Sequence, residues 1–322
     1  MLIESQRPFR VHGFTFLVRW IFASAIVIFC LGIANARGAD SPDVATLKAA
    51  GGNVYAIKKE YGGGMGVSFL NFNLDEKGWL ALESIPNLKS VTISGTGKAF
   101  GNEQMARLCQ IKTIETMFVN GFGGTEEGFA SLAKLPNLRR FGADHSPFTG
   151  TGLIALKDSK NFTSLRFGGC PFDDNGMKAL GVLTQLKEAN ISHVRFTSAG
   201  FGNLAKLVNL EKLVISPNFE PYYVGADFVH LSGLKDLKTL VVSEMALPYD
   251  DGLDHLKGLN LQRLELTDCR VSDGDLEKLK SDLPKTTIVR IYSIDEKYKR
   301  WDAEIAKRQK AKTMRTLRDK VN

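Results

Sequence analysis

Cysteine is scarce in this 322-residue chain. Cys30, Cys109, Cys170 and Cys269 are too few and too scattered for a disulfide framework, and none stands in the Cys-x-x-Cys spacing of a zinc or redox site. Catalytic signatures are missing as well. Beyond the N-terminal region there is no Gly-x-Ser-x-Gly elbow, no His-Glu-x-x-His and no nucleophile paired with a base at motif spacing. No catalytic residue, metal or cofactor is therefore assigned, and an enzyme is not expected. The glycine run Gly62, Gly63, Gly64 and Gly66 leads into an apolar segment and has no Gly-Lys-Ser/Thr behind it, so it lacks the strand-before, helix-after order of a phosphate loop. Long apolar runs are absent except for residues 20–33, whose 14 residues fall short of a bilayer-spanning helix, which needs roughly 20. Arg7, Arg10 and Arg19 precede that run and the small-x-small tripeptide Ala34, Asn35, Ala36 follows it, which reads as an export signal over residues 1–36. An extracytoplasmic location follows: periplasm, envelope or secreted. The alternative is membrane anchoring by an uncleaved N-terminal segment.

What the chain does have is a period. The pattern apolar-x-x-apolar-x-apolar starts at Leu88, Ile114, Leu138, Phe162, Leu186, Leu210, Leu237 and Leu261, at spacings of 26, 24, 24, 24, 24, 27 and 24 residues. Weaker copies flank it: Val67 and Phe69 fall 24 residues before Val91 and Ile93, and Val289 and Ile291 fall 25 after Leu264 and Leu266. Between these segments a second apolar group recurs at helical spacing, as in Leu153 with Leu156 and Met177 with Leu180. Each unit reads as a strand, a turn and a helix. A single unit cannot bury its apolar face, but a stack of about ten can. Within LKSVTIS, Leu88, Val91 and Ile93 point into the core, while Ser90 and Thr92 face the open side of the sheet.

The segments FTSLRFGGCPFDDNGM (162–177) and LQRLELTDCRVSDGDL (261–276) resemble the leucine-rich-repeat superfamily, in its cysteine-containing, ribonuclease-inhibitor-like variety. The lead-in from Leu47 to Val54 resembles the N-terminal cap of exported bacterial, planctomycete-type proteins of this kind. The resemblance implies an α/β fold: a right-handed solenoid or horseshoe with a parallel sheet on the concave side and helices on the convex side. It divides the chain into a signal or anchor (1–36), an N-terminal cap (37–66), a repeat domain (67–294) and a basic helical tail (295–322). The family's cysteine position holds Thr96, Phe122, Ser146, Val194, Asn218 and Met245 in the other clear coils, so Cys170 and Cys269, four coils apart, read as buried free thiols.

Candidate contact residues come from repeat position. The central outward position reads Thr92, Phe118, Gly142, Arg166, Asn190, Val214, Val241, Glu265 and Arg290. Arg139, Arg140 and Arg166 form a local basic cluster offset by Asp144, and are the expected contacts for an acidic partner, with Phe118 and Asn190 beside them. The coil from Leu210 to Leu237 carries three extra residues, which fall around Pro217, Phe219, Tyr222 and Tyr223, and inserted loops on solenoids often serve binding. Phe148, Phe172, Phe196 and Val271, each ten residues after a strand start, read as a core ladder. His145 and His193 hold equivalent positions two coils apart, which at roughly 4.8 Å per strand is too far for two ligands of one zinc.

Of the net charge of +7, residues 295–322 contribute ten Lys or Arg against five Asp or Glu, and residues 1–36 add three Arg and one Glu. The repeat body is formally neutral, which disfavours nucleic acid as a partner. Tyr298, Trp301 and Ile305 give the tail one apolar face, suited to closing the last coil, while its charge offers a basic arm. The expected function is an exported, non-catalytic, monomeric binding module for a protein or glycan ligand. A structural, envelope-associated role through the N-terminus or tail is the alternative.

Overall fold

The computed structural model describes residues 33–34, 41–95, 99–217 and 224–291. The expectations placed on residues 1–32 and on the basic tail lie outside the described residues, as do those on Cys30, Phe219, Tyr222 and Tyr223.

Twelve strands form one sheet whose spatial order is the chain order. They are β1 (Ile33–Ala34), β2 (Gly52–Ile57), β3 (Met65–Phe69), β4 (Leu88–Ser94), β5 (Thr116–Asn120), β6 (Arg140–Asp144), β7 (Ser164–Gly168), β8 (Glu188–Val194), β9 (Lys212–Pro217), β10 (Thr239–Ser243), β11 (Arg263–Thr267) and β12 (Thr287–Ile291). The β1–β2 and β2–β3 pairings are antiparallel and every later one is parallel. Each coil thus pairs only with its neighbours, which defines a solenoid. Ahead of it, Ser41 caps the helix Pro42–Ala49 by accepting a hydrogen bond from Val44 N at 3.2 Å. Gly62, Gly63 and Gly64, all with left-handed φ (95°, 60° and 103°), then reverse the chain between β2 and β3. β1 lies inside the segment that the sequence assigns to export, so cleavage after Ala36 would leave β2 as the edge strand.

The segments returning from strand to strand are short, and several are 3-10 rather than α-helical: Thr151–Leu156, Gly202–Lys206, Gly225–Leu231 and Leu253–Leu256. A 24-residue coil leaves little chain for the return, and the tighter helix spans it in fewer residues. Helices pack at roughly 8–10 Å and strands at roughly 4.8 Å, so the sheet becomes the concave wall.

Between the two layers runs an aromatic spine. Phe69, Phe72, Phe100, Phe122 and Phe148 meet in series with ring centroids 4.8–5.8 Å apart, and Phe196, Phe201 and Phe228 continue the theme at 6.0–6.1 Å. Eleven of the 20 phenylalanines are among the largest fully buried side chains, so most of the phenylalanine content is core and not ligand surface. The ladder of Phe148, Phe172 and Phe196 is buried as expected. Phe129, Phe201 and Phe228, on the helical returns, complete it.

Two repeating polar devices tie coil to coil. Just before each strand an amide reaches back: Asn137 to Lys112 O (3.1 Å), Asn161 to Pro136 O (2.9 Å), Asn209 to Thr184 O (2.8 Å) and Asn260 to Lys235 O (3.3 Å). Thr113 and Thr286 hydroxyls do the same to Leu88 O and Leu261 O, both at 2.7 Å. At the ends of β4 to β8, β10 and β11 the backbone turns through left-handed φ at Gly95, Gly121, His145, Gly169, His193, Glu244 and Asp268. The missing member of that series is Pro217, whose ring forbids positive φ and which has no N–H to donate. β9 instead runs on to Pro217, which pairs with Val194 through a register shift. The next return starts 15 residues after Leu210, at Gly225, where the 162–185 coil takes 12 to reach Asp174. The three extra residues therefore lie between Pro217 and Gly225.

Pairing also corrects the register of the last coil. Glu265 pairs with Val289 and Leu266 with Arg290, an offset of 24 and not 25. Val289, not Arg290, belongs to the central outward row. Arg290 sits at the inward position, where its guanidinium donates to Val271 O (3.3 Å) and to the Asp273 carboxylate (2.8 Å).

Candidate functional site

The sheet's open face is the surface that the fold leaves uncovered, and its side chains come in rows set by the parallel register. The central row runs Thr92, Phe118, Gly142, Arg166, Asn190, Val214, Val241, Glu265 and Val289. The row on the side of the strand starts runs Ser90, Thr116, Arg140, Ser164, Glu188, Lys212, Thr239 and Arg263.

Two glycines shape the middle of this face. A Cβ on Gly142 would stand 2.7 Å from Phe118 Cδ2, so the Phe118 ring lies across Gly142 and is only 7% exposed. A Cβ on Gly168 would stand 2.5 Å from Asp144 Oδ1, so the Asp144 carboxylate leans across Gly168. There it meets Arg166: Nη2 donates to Oδ2 at 2.9 Å and Nε to Oδ1 at 3.2 Å. Asp144 is buried, and the paired guanidinium offsets the cost of burying it. Neighbouring groups are held in the same manner. Ser164 donates to Glu188 (3.1 Å), Ser192 to Asn190 Oδ1 (2.7 Å) and Arg263 to Glu265 (2.6 Å). At the other end, the Tyr55 ring crosses Gly66 and its hydroxyl donates to Ser90 Oγ at 3.4 Å, which is why Ser90 is buried although it faces outward.

The three arginines expected to act together are separated by this arrangement. Arg166 is neutralised by Asp144, and Arg139, 64% exposed, lies at the edge 3.5 Å from Glu115, which also pairs with Lys89 at 2.8 Å. Arg140 alone of the three is exposed on the open face with no ion pair among the described residues. Lys212, which the sequence did not single out, stands three strands away in the same row and is likewise exposed. The signal for it was available: the outward position two places before Val214. Phe118 forms a wall more than a contact, and Asn190 is half-buried as the acceptor for Ser192. Lys187 and Lys238 flank Glu211 at 3.0 and 2.6 Å along the edge, and hold its carboxyl below the usual range, Lys238 foremost.

On the rim, His193 Nε2 lies 3.1 Å from Glu244 Oε2, a contact that spans the coil carrying Pro217. Among the described residues no group of three or more His, Cys, Asp or Glu is placed to hold a metal ion, and no helix is long and apolar enough to cross a membrane. On the helical side a shallow depression lined by Glu76, Trp79 and Arg107 is occupied by its own ion pairs, with Arg107 bidentate to Glu76 (2.7 and 2.9 Å) and 4.8 Å above the Trp79 ring.

A family model described as Leucine Rich repeat matches residues 158–181 and 259–280. No curated protein sequence matches. Among solved structures, an internalin (InlF) from Listeria monocytogenes str. 4b F2365 superposes with a TM-score of 0.50 at 19% identity, over 70% of this chain and 62% of that one. A Toll-like receptor, TLR13, solved in complex with ssRNA13, gives 0.49 at 15% identity, over 70% of this chain and 33% of the receptor. The matched region thus spans about three fifths of the internalin chain. The internalin likeness shows the fold: an α/β leucine-rich-repeat solenoid.

Proposed function

We propose that this protein is an exported, non-catalytic binding module that recognises a protein ligand on the open face of its sheet, between β5 and β9. One observation carries the reading: the polar side chains of that face are already locked to one another, while Arg140 and Lys212 stand unpaired among them. Side chains ordered before the encounter lose less entropy on binding, so such a surface gives affinity that a mobile one of equal area does not. Two exposed cations in one row suit an acidic segment of the partner, with Arg140 able to grip a carboxylate in bidentate fashion. The export signal read from residues 1–36 and the resemblance of the lead-in from Leu47 to Val54 to the N-terminal cap of exported, planctomycete-type proteins favour an extracytoplasmic setting. A neutral repeat body and the lack of an aromatic stacking row favour protein over nucleic acid, and the same face would take a glycan only with weaker electrostatics.

The test is capture from envelope extracts using the full chain beside an Arg140→Glu/Lys212→Glu variant. A partner held by the first and lost by the second supports the open face. Equal retention by both places recognition elsewhere and overturns the assignment. Arg166→Glu is unsuitable as a probe, because it would set a second carboxylate against buried Asp144.

A further inference from the structure

The parallel register sorts the charges of the repeat body onto two opposite rims. At the rim where strands start, the segments 83–89, 109–115, 133–139, 157–163, 181–187, 205–211, 232–238, 256–262 and 280–286 carry thirteen Lys or Arg against six Asp or Glu. At the rim where strands end, the described residues of the segments 94–95, 99–103, 120–129, 144–153, 168–177, 192–201, 216–217, 224–228, 243–252 and 267–276 carry thirteen Asp or Glu against two Lys or Arg. The neutral body is therefore strongly polarised from one rim to the other.

The acidic rim has a structural explanation. The returning helices begin there, and their free amides need acceptors. Glu126 accepts from Gly152 N (2.8 Å) in the next coil, Asp174 from Thr197 N (2.7 Å) and Asp227 from Val224 N (2.7 Å). The basic rim is explained only in part. Lys112 donates to Cys109 O (2.9 Å) and Lys235 to Gly258 O (3.2 Å), satisfying carbonyls near the ends of the returns. Lys134, Lys157 and Lys160, on adjacent coils, are exposed and enter no ion pair or side-chain hydrogen bond among the described residues. Parallel pairing from β4 to β12 aligns the strand starts, so the residues just before them line one continuous ledge. Val182 (40% exposed) and Val208 (53%) protrude on the same ledge.

We propose that the strand-start rim is a docking surface for an anionic phospholipid membrane, with the solenoid standing on edge. Lys134, Lys157 and Lys160 meet the headgroups, and Val182 and Val208 touch the interface beside them. A band of unpaired cations with apolar residues beside them on the next two coils matches a lipid surface, which rewards both; a soluble polyanion would leave the valines in water. The acidic rim, repelled by the same surface, fixes which edge faces down and leaves the open face of the sheet free for a ligand.

Vesicle sedimentation tests this with the full chain, on phosphatidylglycerol mixed with phosphatidylcholine and on phosphatidylcholine alone. A Lys134→Gln/Lys157→Gln/Lys160→Gln variant is compared with a charge-matched control, Lys77→Gln/Lys178→Gln/Arg195→Gln, whose positions are exposed off the ledge. Both variants keep the same N-terminal segment and tail, so any contribution of these is common to the two. Each headgroup contact is worth about fivefold, so the ledge variant is expected to lose about 100-fold in partitioning to the anionic vesicles while the control stays near the parent. Circular dichroism melting confirms that both fold. Equal binding by the ledge variant and the control overturns the proposal. So does dextran sulfate binding that depends on the three lysines while vesicle binding does not.

Discussion

At the scale of single residues, the thiols illustrate what burial does to chemistry. Cys109, Cys170 and Cys269 are buried, and burial pushes each thiol up to about 12. Cys170 and Cys269 each point Sγ at a carbonyl of the preceding coil, Ala143 O at 3.4 Å and Val242 O at 3.3 Å. Only the thiolate reacts, so in a Cys30→Ser background no thiol is expected to react with iodoacetamide up to about pH 9 until denaturant is added. Rapid labelling of the native protein, followed by mass spectrometry, would contradict the packing. Arg166 gives a second expectation. Arg166→Ala strands the Asp144 carboxylate and should cost about 2 kcal/mol in urea unfolding, discounted for the partial exposure of the guanidinium, and adding Asp144→Ala should restore part of the loss. The basic cluster was legible in sequence as a set of residue types. Which of its members stays available was not, because that depends on Gly168 letting Asp144 lean over, a matter of an absent side chain on the next coil.

At the scale of elements, the coil-to-coil amides should behave as independent rivets. Asn137→Ala and Asn209→Ala each strand one carbonyl, and each should cost about 1 kcal/mol. Their sites lie three coils apart, so the double variant should show the sum within error in chemical denaturation. A much larger coupled loss would show that the ladder acts as one unit. The strands from β4 to β11 were readable because the apolar-x-x-apolar-x-apolar spacing fixes their register even where, as at Val214 and Val241, the outward position is apolar, whereas Lys285 and Arg290 break that spacing at β12. β12 was misplaced by one residue because Ile288, Val289 and Ile291 are all apolar, so alternation alone cannot choose the face. The described residues bound the excess after Leu210 between Pro217 and Gly225, and the reason is physical: proline occupies the one position per coil where the chain must turn left-handed.

At the scale of the whole molecule, a sheet in chain order makes stability a matter of neighbours. Amides of β6–β10, covered on both sides, should exchange with deuterium most slowly, and those of β12 and the helix Asp273–Asp282 faster, in a mass-spectrometric time course. Uniform protection from β3 to β12 would instead indicate a single cooperative unit. The overall architecture was legible because a period survives substitution at any one of its positions. The polarity between rims was hidden in the same sequence, since charges that cancel along the chain separate only when coils are laid side by side. The strand arrangement has one more consequence. Because the strands lie across the long axis, the hydrogen bonds that join them point along it, so a pull on the two ends loads one short row of bonds at a time. Under tension the molecule should lengthen in small steps at low force, as a coil spring does, and serve as a compliant tether between whatever holds its two ends.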